Sequence, residues 1–400
     1  MKRSGTTDMA LWGGGIPSWL FSRMKELCLP IVESIIIEYG RAEFIKRLSD
    51  PFWFQSFGAV IGMDWNSSGV TTAVTRALKQ SINPHSKELG LYICGGKGKQ
   101  SLKTPSELVI AGEKTGLDGN QLAQCSKLSA KVDNTAVQDG FQLYLHSFVL
   151  SADGDWTVIQ QGMKGKDGLA RRYHWFSGAI DSFVEEPHAA VCGENQGMIL
   201  NLVSKEAKVT QKAILEISKQ HPDKILKEVP YLNLPKYCDV KAKDIDLKRL
   251  GSVLWLAQET EVGNFEDLLL LKGLGPRTLQ SMTLVSEVIH GTPSRFSDPA
   301  RYSFAHGGKS GKPFSVPTTV YDATIANLQK SVEQAKIGLT DKHKAIKKLS
   351  EIAQNAEKGF TPNENFDQLL KKERNDSYKY GGRSIKGKEK PKNNQLGLFD

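Results

Sequence analysis

Cysteine is scarce and scattered: Cys28, Cys94, Cys125, Cys192 and Cys238 include no CxxC pair. That argues against a zinc knuckle and against a disulfide framework, and leaves buried free thiols as the expectation. No apolar run approaches the roughly 20 residues that a membrane-spanning helix needs. The longest, around 31–37 and 268–271, are core-sized. The opening MKRSGTTDMALWGGG has two basic residues but no apolar signal core before a cleavage-like site, so the expectation is a cytoplasmic protein with no membrane partner. Two phosphate and nuclease signatures are missing as well. Neither GGKGK at 95–99 nor HGGKS at 306–310 has Walker A spacing, and no PD followed by (D/E)xK is found.

What is present fits a globular protein with a disordered tail. The chain has 400 residues, 39% of them hydrophobic and 8% aromatic, enough for two or three domains with at least one large core. Residues 17–48 carry helical periodicity that ends at Asp50-Pro51, and a second helix follows Ser67-Ser68. LGLYICGG reads as a buried strand entering a Gly/Lys turn. Phe141, Leu143 and Leu145 alternate with Gln142, Tyr144 and His146, and Ala152-Asp153-Gly154-Asp155 turns the chain into 156–161. This predicts a hairpin with one polar face, extended by short runs at 173–176, 189–191 and 198–203 into a mixed sheet. From about 209 the pattern turns helical, and Pro230 and Pro235 mark a boundary near 240. The expected fold is therefore an α/β (mixed α+β) domain over 1–240, an all-α module over 241–355, and a basic tail over 356–400.

The tail has its own chemistry. Residues 371–392 hold nine Lys/Arg against Glu373, Asp376 and Glu389, which is +6 of the formal +9. So basic and weakly apolar a segment cannot bury enough surface to fold, but it can lie along a polyphosphate and release counterions. It ends in Gln395, Leu396, Gly397, Leu398, Phe399 and Asp400. The string QLGLF resembles the peptide by which bacterial replication and repair proteins grip the sliding clamp: a polar site takes the Gln395 amide, and an apolar cleft takes Leu396, Leu398 and Phe399. DNA and the clamp are the partners expected.

In the helical module, 265–278 (FEDLLLLKGLGPRT) resembles a helix-hairpin-helix motif. Gly273 and Gly275 let the turn backbone approach a phosphate, Pro276 suits the first turn of the next helix, and Arg277 adds a charge. Bifunctional glycosylases of that class carry a lysine nucleophile where this chain has Arg277, which cannot form a Schiff base. Asp298 is the only candidate for their downstream aspartate, and its surroundings match poorly.

Several amino-terminal strings, among them DPFWFQSFGAVIGMDWNSSGVTT, KVDNTAVQDGFQLY, RRYHWFS and FAHGGKSG, resemble the domain-of-unknown-function family 763 over about residues 3–335. That resemblance implies no activity. A histidine is usual in the family where this chain has Trp12 and Asn66, so neither position is given a catalytic role. From the residues themselves, Lys97 and Lys99 beside glycines suggest an anion nest, and Arg171-Arg172-Tyr173-His174-Trp175 pairs cations with aromatic planes suited to unpaired DNA. Asp133, Asp139, Glu185 and Glu186 are the residue types that hold Mg²⁺ or Mn²⁺, with Lys131, Asp139 or His174 beside the water. Helix capping and solvated surface are the competing accounts of those acids. The combined expectation is a metal-dependent DNA nuclease tethered to the clamp. The alternatives are a non-enzymatic DNA-binding adaptor and a helix-hairpin-helix glycosylase.

Overall fold

The structure is a computed structural model that describes residues 9–10, 18–63, 69–164, 169–228, 247–300 and 318–357. A short strand β1 (Met9–Ala10) precedes helices α1 (Ser18–Leu48), α2 (Pro51–Val60), α3 (Gly69–Ile82) and α4 (Ser86–Leu89). Strand β2 (Leu91–Lys97) leads to α5 (Thr104–Thr115) and α6 (Gly119–Lys131), and β3 (Val137–Gln138) follows a π-helical turn at Val132–Ala136. Next come β4 (Gln142–Ser151), β5 (Trp156–Lys164), β6 (Leu169–Phe176), β7 (Ala190–Cys192) and β8 (Met198–Asn201). The remainder is helical apart from β9 (Phe296–Ser297): α7 (Lys208–Lys219), α8 (Pro222–Glu228), α9 (Leu247–Glu259), α10 (Phe265–Leu270), α11 (Pro276–His290), α12 (Thr318–Gln334) and α13 (Leu339–Glu357). The protein is mixed α+β.

The main sheet runs β1-β6-β5-β4-β2, with β7 also on β6, and every pair is antiparallel. The expected mixed sheet is thus replaced by an antiparallel one, because β4, β5 and β6 follow one another through short connections that can only reverse the chain. The expected polar face is also corrected. One side packs on Leu108, Leu122, Ile214, Leu254, Leu268 and Met282 from α5, α6, α7, α9, α10 and α11. The other packs on Ile35, Phe57, Val74, Leu328 and Leu349 from α1, α2, α3, α12 and α13. With helices on both faces, Gln160 and Gln161 have no exposure. The alternation of polar and apolar residues marks internal hydrogen bonding, not a wet side.

The stop at Asp50-Pro51 is also a start. Asp50 Oδ1 accepts from the N–H groups of Phe52 and Trp53, and Pro51 occupies the first position of α2, where a missing N–H does no harm. The core does not divide at residue 240: Leu250, Leu254 and Leu279 belong to the same cluster as Tyr92 and Phe148 of the sheet.

Candidate functional site

The turn between α10 and α11 is tight. Asn264 caps α10 by accepting from the Asp267 N–H at 2.9 Å. The chain turns through Leu271, Leu274 N–H bonds back to Leu271 at 3.2 Å, and Gly273 sits at φ +90°, where a side chain would be strained. Pro276 then opens α11 with no side-chain cap at Gly275. The first-turn amides of α11 are thus left for an outside acceptor. Gly275 itself is extended, at φ −126°, and a Cβ there would meet only the Arg249 guanidinium at 3.6 Å, so its backbone does not require glycine.

Side chains from elsewhere fix this turn and charge it. Lys131, at the end of α6, donates to Leu274 O at 2.6 Å, Gln138 to Pro276 O at 2.8 Å, and Arg249 of α9 reaches toward Gly273 O at 3.4 Å. Lys272 and Arg277 are exposed beside them. Burial, followed by the nearby charge of Arg249, pulls the Lys131 pKa below its usual value. An anion here would relieve that crowding. Arg249 carries no signal in the sequence, because only tertiary packing brings α9 to the turn.

The acids expected to hold metal do not converge. Asp133, on the π-helical turn, accepts from Gln160 at 2.6 Å, from Trp175 Nε1 at 2.9 Å and meets His188 Nε2 at 2.5 Å. Gln160 continues to His146 (2.9 Å), which reaches Ser126 (2.8 Å). Burial pushes the His146 pKa down, so it serves this chain as a neutral ring. Asp139 lies in a separate network, Glu185 pairs with Lys208 at 3.0 Å, and Glu186 stands at φ +46°. Among the described residues no group of three or more His, Cys, Asp or Glu could hold a metal ion. The set Lys131, Asp139 and His174 is dispersed too: the first reaches the hairpin, and the other two engage side chains on opposite faces of β6. Buried carboxylates with two or three internal donors are structural acceptors, which residue type alone cannot reveal.

Strand alternation separates the two arginines. Arg171, Tyr173 and Trp175 point to one face of β6, Arg172 and His174 to the other. Both arginines have zero exposure, so the expected surface clamp on phosphate is corrected to two internal sites. Arg171 Nη1 donates to Asp139 (2.9 Å) and Asp298 (2.9 Å), while Nη2 donates to Asp298 (2.8 Å) and the Glu194 carbonyl (2.5 Å). Burial alone would lower this guanidinium's pKa, but Asp298 and Asp139 outweigh it and raise it. Tyr173 donates its hydroxyl to Asp139 at 2.6 Å. Asp298, the candidate catalytic aspartate, is instead the main counter-charge, and it also accepts from the N–H groups of Gln196 and Ala300.

The GGKGK turn is occupied from within. Gly95 N–H donates to Glu107 Oε2 at 2.7 Å, and Lys79 bonds both Glu107 and the Gly95 carbonyl. The anion nest therefore already holds a carboxylate, while Lys97 and Lys99 stay exposed. The clamp-like residues Gln395, Leu396, Leu398 and Phe399 lie outside the described residues.

A family described as "Protein of unknown function (DUF763)" matches residues 5–316. The chain belongs to the DUF763 family. The match takes in everything from β1 to β9, including both arginine networks and the α10–α11 turn, and ends before α12. No curated protein and no solved structure matches the chain. No helix of the described residues is long and apolar enough to cross a membrane.

Proposed function

We propose that this DUF763 protein binds DNA through the α10–α11 turn as a helix-hairpin-helix grip on the sugar-phosphate backbone, and that its basic tail and QLGLF peptide tether it to the sliding clamp. The observation that carries the reading is the uncapped start of α11 ringed by Lys131, Arg249, Lys272 and Arg277. Backbone amides and cations at a helix start bind phosphate without reading bases. The role is that of a replication or repair adaptor. No cleavage step is assigned, since Lys131, Asp133, Asp139, His174, Glu185 and Glu186 form no common centre and, among the described residues, no group of three or more His, Cys, Asp or Glu could hold a metal ion such as Mg²⁺ or Mn²⁺.

The test combines Gly275→Asp, which supplies the side-chain cap that α11 lacks and places a negative charge on the phosphate position, with Arg277→Glu. Affinity should fall alike for all DNA sequences, and the salt slope of binding should drop by about 1 for each phosphate that is no longer neutralised. Unchanged affinity would return the turn to a purely structural role. Independently, Leu398→Ala with Phe399→Ala should abolish clamp pull-down while DNA affinity stays near that of the parent protein.

A further inference from the structure

On the α2–α3 side of β6, Arg172 is a buried cation with no ion pair among the described residues. Its Nε donates to His174 Nε2 at 2.8 Å, and Nη1 donates to Gln55 Oε1 at 3.0 Å and, weakly, to Thr71 Oγ1 at 3.4 Å. Nη2 has no oxygen or nitrogen acceptor, and with zero exposure the side chain gets none from bulk water. Among the described residues no carboxylate pairs with it. Its other neighbours offset little. The Phe54 ring lies 4.8 Å from the guanidinium carbon, and the Cys192 thiol, pushed up to about 11 by burial, is an uncharged weak acceptor. His174 must be neutral to accept from Nε, and burial followed by the charge of Arg172 holds its pKa well below the usual value.

A second source of positive potential meets this cation. Thr71 lies in the first turn of α3, a helix of 14 residues, so the positive end of that helix dipole is directed at the guanidinium. A buried arginine beside a helix start, with no carboxylate bonded to it among the described residues, is an incomplete electrostatic arrangement. Each element of it is a recurrent partner of phosphate.

We propose that the junction of α2, α3 and β6 is a binding site for a small phosphate-type oxyanion, either free phosphate or a phosphate monoester, held by Arg172 Nη2, the Thr71 hydroxyl and the N-terminal end of α3. Thr71 Oγ1 accepts from Nη1, which leaves its own O–H to donate to the anion. Gln55 and His174 take the remaining guanidinium donors and fix the fork in place, so they position the cation and do not touch the ligand. This site is separate from the α10–α11 turn and does not depend on the DNA-binding reading.

The experiment measures thermal stability of the full-length protein titrated with sodium phosphate or glycerol phosphate against sodium chloride at matched ionic strength. It is run on the parent protein, Arg172→Met, Thr71→Val and, as a control for the hairpin, Arg277→Glu. Phosphate should raise the melting temperature of the parent and of Arg277→Glu in a saturable way, as a ligand of the native state does. The rise should vanish in Arg172→Met and shrink in Thr71→Val. A response to glycerol phosphate at least equal to that of phosphate identifies a monoester as the occupant, and a response to phosphate alone identifies the free ion. Should Arg172→Met fail to fold, the Thr71→Val comparison decides by itself. A parent protein indifferent to both anions, or a phosphate effect unchanged in both Arg172→Met and Thr71→Val, overturns the proposal.

Discussion

The two faces of β6 put the same side chain into opposite electrostatic situations. Arg171 and Arg172 are consecutive, and both are wholly buried. On one face Arg171 is met by the two carboxylates of Asp139 and Asp298, by the Glu194 carbonyl and by the ring of Phe141 at 4.8 Å. On the other, Arg172 has a neutral histidine, an amide, a hydroxyl and an aromatic ring. Each guanidinium keeps one buried nitrogen without a partner, Nε of Arg171 and Nη2 of Arg172, but the charge of the first is met by two carboxylates and that of the second by none among the described residues. A buried charge contributes to stability only through its partners, so two identical residues should respond differently to the same substitution.

The largest difference is expected from Arg171→Met. It strands Asp139 and Asp298 in the interior and should destabilise by about 3–5 kcal/mol in denaturant unfolding. Equal losses for Arg171→Met and Arg172→Met would break the comparison.

Acid sharpens it next, because each face holds a buried neutral histidine, His146 on the Arg171 side and His174 on the Arg172 side. Both have folded-state pKa values below the ordinary 6.5. Below that value the unfolded chain binds protons that the native protein refuses. Stability is therefore full above pH 6.5 and falls as the pH drops toward the folded values, by up to about 1.4 kcal/mol per pH unit for each histidine. Unfolding measured across pH 7 to 5 checks this, and ring nitrogen shifts in NMR should show both imidazoles uncharged at pH 6. A charged His174 would contradict the Arg172 to His174 hydrogen bond.

Arg172→Met, in the absence of phosphate, should change stability by no more than about 1 kcal/mol and in the favourable direction, since an uncompensated cation is exchanged for an apolar chain. The smallest effect belongs to the exposed cation Arg277: Arg277→Glu should leave folding stability within about 0.5 kcal/mol while weakening DNA binding. Incubating the protein with single-stranded, nicked and branched DNA in the presence of Mg²⁺ or Mn²⁺ should show binding without cutting. Metal-dependent cutting lost in Asp139→Asn would instead make the Arg171 face catalytic.

Much of the fold was legible. The periodicity of 17–48, the start near Ser68, the hairpin over 141–161 and the helical run after 209 appear as α1, α3, the β4–β5 pair and α7. Strand propensity and turn residues are local, so sequence carries them well. The site was legible only where it too is local. Gly273, Gly275, Pro276 and Arg277 lie together in the chain and form one turn in space. Lys131 suggested a place beside a catalytic water, and Arg249 suggested nothing, because their approach to Gly273 and Leu274 depends on how α6 and α9 pack.

Residue order by itself determined the family and the mixed α+β composition, since each follows from neighbours along the chain. Only the tertiary structure decided that helices cover both faces of the sheet, that Glu107 fills the Gly95 turn, and that Asp139 and Asp298 converge on Arg171 while no carboxylate among the described residues bonds Arg172. Charge compensation in the interior is made by groups far apart in sequence, and no periodicity or motif records which ones will meet.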